Sequence, residues 1–191
     1  MNKTNVKPAE GKLGIMVVGL GAVTSTFMTG VLMARKGLAK PIGAMTQYDK
    51  IRVGKGENKK YLHYNEIVPI ADLNDIVFGA WDVYPADAYR SAIYAEVLKQ
   101  KDIDPVKDEL EKIVPMKAAF DKNFAKRLDG DNVMDVATRW DMVEQLRKDI
   151  AEMEDILAHK SKIKKIIVGE LQEVSKKFGQ PRKTEIIFSC D

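Results

Sequence analysis

Residues 15–26, IMVVGLGAVTST, hold the chain's first candidate for chemistry. An apolar run stops at Gly19, Gly21 follows, and Ala22, Val23 and Thr24 lead onward with small side chains. Two glycines in such a turn let backbone N–H groups approach an anion, and a helix starting beyond it adds a field that favours negative charge. The chemistry on offer is the cradling of a phosphate or diphosphate; the alternative is a tight corner with no ligand. In the G-x-G-x-x-G pattern Thr24 occupies the third glycine's place, where a larger residue is expected to hold the helix farther from the strand. The hydroxyls of Thr24, Ser25 and Thr26 are candidate donors to phosphate.

A dinucleotide site also needs an acidic residue for the ribose hydroxyls, usually about 20 positions on, and none stands there. Asp82 is the better candidate, because it ends the apolar run DIVFGAW at a strand's carboxyl edge; its alternative role is to cap the next helix. The other reactive side chains offer less. Cys190 is the single cysteine, so neither a disulfide framework nor a CxxC metal site is expected. His63 and His159 are isolated, and no metal site is assigned. LDGDNVMD at 128–135 fails the EF-hand register, with Val133 and Trp140 at the fifth and twelfth positions, and reads as a polar turn.

These residues need elements to position them. Leu13–Val18 is a compact apolar run with the pattern of a buried strand. Ala22 to Gly37 reads as a helix with Val23, Phe27, Val31, Leu32 and Ala34 on its apolar side and Gly37 as C-terminal cap. Gly54 and Gly56 suggest a hairpin or loop, and YLHY an edge strand whose aromatics pack. DIVFGAWDVY at 75–84 reads as a second buried strand. Pro85 opens a helix over 86–100 with Tyr89, Ile93 and Val97 on one stripe, and Asp104-Pro105 starts another that ends before Pro115. Thr138 and Asp141 approach a capping box. Behind it Trp140, Val143, Leu146, Ile150, Met153 and Leu157 recur at helical spacing. Ile163, Ile166, Ile167, Leu171, Val174 and Phe178 continue the pattern as a second helix, stopped by Gly179 and Pro181. The pair predicts an antiparallel helical hairpin, with TEIIF at 184–188 as a terminal strand returning to the sheet.

The bulk numbers set limits. The 191 residues carry 31 basic and 28 acidic side chains, a net charge of +3, and 45% hydrophobic residues. Residues 151–191 hold 8 Lys/Arg and 7 Asp/Glu. Such balance argues against a nucleic-acid or membrane-surface binder. The lysines 160, 162, 164 and 165 at the hairpin tip read as a solvated face. No signal peptide and no membrane-spanning run is visible, so a cytoplasmic location is expected.

From about residue 7 to 150 the sequence resembles the N-terminal NAD-binding region of bacterial-type myo-inositol-phosphate synthases. The resemblance lies in GKLGIMVVGLGAVTSTFMTGVLMARKGLAKPIGAMTQ, IVPIADLNDIVFGAWDVYPADAYRSAIYAEVLK, IVPMKAAFDKNFAKRLDG and TRWDMVEQLRKDI, in that order. It implies that Gly19, Leu20, Gly21, Ala22, Val23 and Thr24 form the dinucleotide loop for NAD. Trp81-Asp82 would match a W-D pair that contacts the cofactor. The family converts glucose 6-phosphate to inositol phosphate, with bound NAD oxidising the sugar and returning the hydride after ring closure. Its catalytic lysines and aspartates lie in a later substrate domain, so no catalytic residue is assigned, and an NAD-binding fragment without turnover is expected.

LRKDIAEMEDILAHKSKIKKIIVGELQEVSKKFGQPRKTEI, residues 146–186, instead resembles the coiled-coil region of the A subunit of DNA gyrase and topoisomerase IV. It implies an interaction module capable of self-association, without that family's catalytic tyrosine; the alternative is that the apolar seam simply covers the exposed edge or face of the sheet. The synthase family would itself continue past Ile150 into another Rossmann strand leading to a T-E-I sequence, so the arrangement looks chimera-like. The expected fold is α/β: a partial Rossmann-type parallel sheet with flanking helices over 1–137, a helical hairpin over 138–183, and a short strand or tail over 184–191.

Overall fold

The structure, a computed structural model, describes residues 11–123, 125–158, 166–170 and 186–187. In chain order its strands are β1 (Leu13–Val18), β2 (Lys50–Val53), β3 (Lys60–His63), β4 (Ile76–Asp82), β5 (Met116–Lys117), β6 (Ile166–Glu170) and β7 (Ile186–Ile187). The helices are α1 (Ala22–Arg35), α2 (Met45–Tyr48), α3 (Ala88–Ala95), α4 (Gln100–Ile103), α5 (Lys107–Leu110) and α6 (Arg139–Ala158).

One sheet runs β5-β4-β1-β6-β7. β1 pairs in parallel with β4 on one side, Val18 opposite Trp81, and with β6 on the other, Val18 opposite Glu170. β5 continues in parallel beside β4, and β7 closes the far edge antiparallel to β6. The first three strands in this succession, β1, β4 and β5, therefore build outward one way, and the next, β6, starts again on β1's other side. That reversal is the switch point where open α/β sheets bind ligands, beyond the carboxyl ends of the strands.

Alternation along β4 splits the core into two. Ile76, Phe78 and Ala80 face α1, joining Met28, Val31, Leu32, Ala88, Ala92, Ile103, Val106 and Leu110. Trp81, with Met16, Met134 and Met153, belongs to the opposite face, against which Val77, Leu146 and Ile150 pack. A Cβ on Gly79 would come within 2.4 Å of Met153 Cε and 2.5 Å of Met16 Sδ, so the two methionines fill the space a side chain would need. A sheet covered on both faces explains why β1 and β4 read as unbroken apolar runs.

The start and stop signals act largely as their chemistry requires. α1 ends in a Schellman motif: Gly37 takes φ 67°, its N–H donates to Ala34 O, and the Leu38 N–H donates to Met33 O. Asp141 accepts from the Thr138 N–H at 3.0 Å while its own N–H donates to Thr138 Oγ1 at 3.1 Å, a reciprocal cap on α6. Asp87 caps α3 by accepting from the Arg90 N–H. That helix is shorter than expected, because Glu96 turns left-handed at φ 53° and takes Val97 off the helix. Its buried stripe is Ala88 and Ala92, and Val97 is exposed. β2 and β3 form a separate antiparallel hairpin, and Tyr61 on it is exposed rather than packed.

The second helix of the expected hairpin, 163–178, lies mostly outside the described residues. Its described stretch, Ile166–Glu170, is a strand and corrects the helical reading there. Ile166-Ile167-Val168 is a β-branched run, which favours extended backbone, and it enters the sheet beside β1. Among the described residues, no helix is long and apolar enough to cross a membrane.

Arg35 ties α1 to the sheet. Its Nε donates to Leu73 O at 2.6 Å, its terminal nitrogen to Ile76 O, and its guanidinium lies 5.8 Å from the centre of the Phe78 ring. Burial lowers its pKa, which Asp72 and Asp75 oppose, and the guanidinium stays charged. Arg35→Met strands both carbonyls at the entry to β4; a loss of about 2 kcal/mol is expected, read as a lower urea midpoint at unchanged slope.

Candidate functional site

The glycine corner sits where β1 leaves the sheet. Gly19 adopts φ 90°, a conformation that a side chain would strain, and its N–H donates to Trp81 O at 2.7 Å. This bond carries the β1–β4 pairing one step past the strand end. Leu20 turns its side chain into the core on the α1 face, and its N–H donates to Asp82 Oδ2. Gly21 is the N-cap of α1, with φ −71° and ψ −170°. Gly21 has no side chain with which to cap the helix, and no acidic residue lies in its first turn. Among the described residues, a Cβ on Gly21 would meet nothing within 4 Å. The helix thus presents its first amides and the positive end of its dipole to open space at the switch point, which is the disposition a diphosphate needs.

The side chains beyond the corner do not take the expected parts. Ser25 is buried, and its hydroxyl donates back to Gly21 O at 3.0 Å and Ala22 O at 3.3 Å. Thr24 is 1% exposed, and its Oγ1 is buried with no hydrogen-bond partner among the described residues. Among the same residues Thr26 Oγ1 is likewise buried without a partner. The expected hydroxyl donors are thus turned inward, and the groups left at the corner are backbone amides. The buried side of α1 is Thr24, Ser25, Met28, Thr29, Val31 and Leu32, whereas Val23 and Phe27 are exposed. Phe27 makes a T-shaped contact with Phe78, ring centres 5.6 Å apart.

Asp82 stands at the carboxyl end of β4, next to the strand that feeds the glycine corner. Its Oδ1 accepts from the Tyr84 N–H at 2.8 Å and its Oδ2 from the Leu20 N–H. Two carboxylate oxygens offer about four acceptor positions, which leaves capacity for ribose hydroxyls. The alternative role does not hold, since Asp87 caps the following helix. The usual distance of about 20 positions fails because the β2–β3 hairpin and its flanking turns intervene between α1 and β4.

Two supporting residues carried no sequence signal of their own. Asn132 donates from Nδ2 to Asp82 O at 2.8 Å and to Met116 O at 3.2 Å, and its N–H donates to Val83 O at 2.9 Å. It binds together the ends of β4 and β5, so the polar turn is part of the site's frame. Gly130 makes this approach possible, since a Cβ there would come within 2.3 Å of Val83 O. Asp149, on α6, is 6% exposed and accepts from Trp81 Nε1 at 2.7 Å and Gln145 Nε2 at 2.9 Å. It also borders a cavity of about 360 Å³ beside Met116 and Lys117 at the end of β5.

A family profile described as myo-inositol-1-phosphate synthase matches residues 13–172, from the first residue of β1 through β6. The chain belongs to the myo-inositol-1-phosphate synthase family. The family match crosses Ile150 and takes in much of the segment that resembles a gyrase coiled coil; nothing in the comparisons shows that second resemblance. Inositol-3-phosphate synthase 1 of Bacteroides thetaiotaomicron is 56% identical over 151 residues, 78% of this chain and 34% of that protein. Inositol-3-phosphate synthase 1 of Oryza sativa subsp. japonica is 33% identical over 174 residues, 82% of this chain and 33% of that protein. Among solved structures, the inositol-3-phosphate synthase of Caenorhabditis elegans superposes with a TM-score of 0.71 at 22% identity, over 86% of this chain and 34% of that one. The chain thus spans about a third of the length of these synthases.

Proposed function

We propose that this chain binds NAD as the dinucleotide-holding portion of an inositol-3-phosphate synthase, an enzyme that forms inositol phosphate from glucose 6-phosphate. The observation that carries the reading is Gly21: an uncapped helix start, open above, at the switch point of a parallel sheet and beside a carboxylate. Gly19, Leu20 and Gly21 shape the corner; the amides of Ala22, Val23 and Thr24 bind the diphosphate; Asp82 receives the adenosine ribose hydroxyls. NAD, when bound, supplies a reversible hydride acceptor. Enolisation and ring closure of the sugar additionally require cationic groups and a proton carrier next to it. The residues gathered at the corner are binding groups, and their assigned part is to hold and orient the cofactor.

Titration of the purified chain with NADH tests this reading. The nicotinamide fluorescence is expected to change with half-saturation at about 1 mM or below. A flat response through millimolar NADH would defeat the reading.

A further inference from the structure

We propose that Asp149 is a positioning residue of the glycine corner, acting through the indole of Trp81. Asp149 lies on α6, on the opposite face of the sheet from the helix that begins at the corner. Its Oδ2 accepts from Trp81 Nε1 at 2.7 Å, and Trp81 is 3% exposed. Trp81 is also the residue whose carbonyl receives the Gly19 N–H, and its neighbour Asp82 receives the Leu20 N–H. The bond from α6 therefore holds the side chain of the residue whose own carbonyl, and whose neighbour's carboxylate, receive the two amides that set the turn.

The chemistry of Asp149 supports a role beyond packing. A carboxyl group this buried is costly unless partnered, and here its side-chain partners among the described residues are two neutral N–H donors, Trp81 and Gln145. At 2.7 Å the indole bond is short and well formed. It fixes the rotamer of Trp81 and hence the end of β4, where backbone hydrogen bonds to the corner begin. Gln145, one turn earlier on the same helix, holds the other carboxylate oxygen and so orients the first.

The consequence for cofactor affinity rests on the dinucleotide reading; the positional claim does not. Amide hydrogen exchange on the ligand-free full chain decides the latter. In Asp149→Ala and in Trp81→Phe, the Gly19 and Leu20 amides are expected to exchange about tenfold faster, while Val31 and Leu32 keep their rates. Asp149→Asn, which retains an oxygen acceptor, is expected to restore most of the protection. Leu110→Ala, a destabilising change in the other core, is the control and is expected to leave the two corner amides at their wild-type ratio to Val31. Unchanged rates at Gly19 and Leu20 in the first two variants, or a rise of these two rates relative to Val31 in the control as large as in those variants, would overturn the proposal. NADH titration of the same proteins reports on the other reading: a roughly tenfold weaker response in Asp149→Ala and Trp81→Phe is expected. If wild type itself gives no response, the dinucleotide reading falls and the exchange rates still decide this one.

Discussion

Gly21→Val is expected to remove the NADH response while leaving the thermal midpoint within about 2 °C of wild type. The two halves of this expectation have separate causes. Gly21 has an extended backbone, with φ −71° and ψ −170°, that any residue adopts, and no atom of the described residues lies within 4 Å of the position its Cβ would take. The folded chain alone therefore has no steric objection to valine. A bound diphosphate does: the two methyl groups would stand over the uncapped start of α1, in the space the anion must enter. Losing two hydrogen bonds to a charged group, at about 1.5–3 kcal/mol each, weakens binding about 100-fold or more. Gly19→Ala makes a useful contrast, because φ 90° is strained for any side chain and its effect is on stability first. Fluorescence titration and a melting curve on both proteins check the distinction; a Gly21→Val protein that binds like wild type would place the anion elsewhere.

Leu110→Ala is expected to lower stability by about 3 kcal/mol, read as a fall in urea midpoint at constant slope. Leu110 is fully buried in the core on the α1 side, together with Ile103 and Val106. These three come from the run of short helical turns between Gln100 and Leu110, which has no long helix to hold it in place. Its attachment is this insertion of apolar side chains beneath α1 and α3. Removing one leaves a cavity bounded by elements that cannot all close in, since Met28, Leu32 and Ala92 are anchored in helices of their own.

The parts of the fold legible in the sequence are those governed by neighbours along the chain. β1 and β4 stood out as apolar runs because both their faces are covered. The Schellman stop at Gly37 and the Thr138–Asp141 box were visible because a cap is a matter of three or four residues. The glycine corner and Asp82 were readable for the same reason, at the ends of those runs. The face of α1 was misjudged, because Ser25 and Thr29 hand their hydroxyl protons to Gly21 O and Ser25 O and then pack like small apolar groups. Ile166–Glu170 carries apolar spacing that suits a helix and a β-branched run that suits a strand; pairing with β1 decides between them. Asn132 and Asp149 were out of reach, since each acts on a partner far away in sequence, and neither asparagine in a turn nor aspartate in a helix announces its target.

The order of the sheet also dictates the order of its assembly. β1 is made first, yet both its neighbours come later: Ile15 finds Phe78, and Gly14 finds Ile166. During synthesis the central strand must wait, with its apolar face uncovered, until β4 has emerged, and one of its edges stays open far longer. Such distant pairings slow folding and prolong the window in which a nascent strand can stick to another chain. The location that suits a ligand at the heart of the sheet is thus also the one left uncovered longest while the chain is being made.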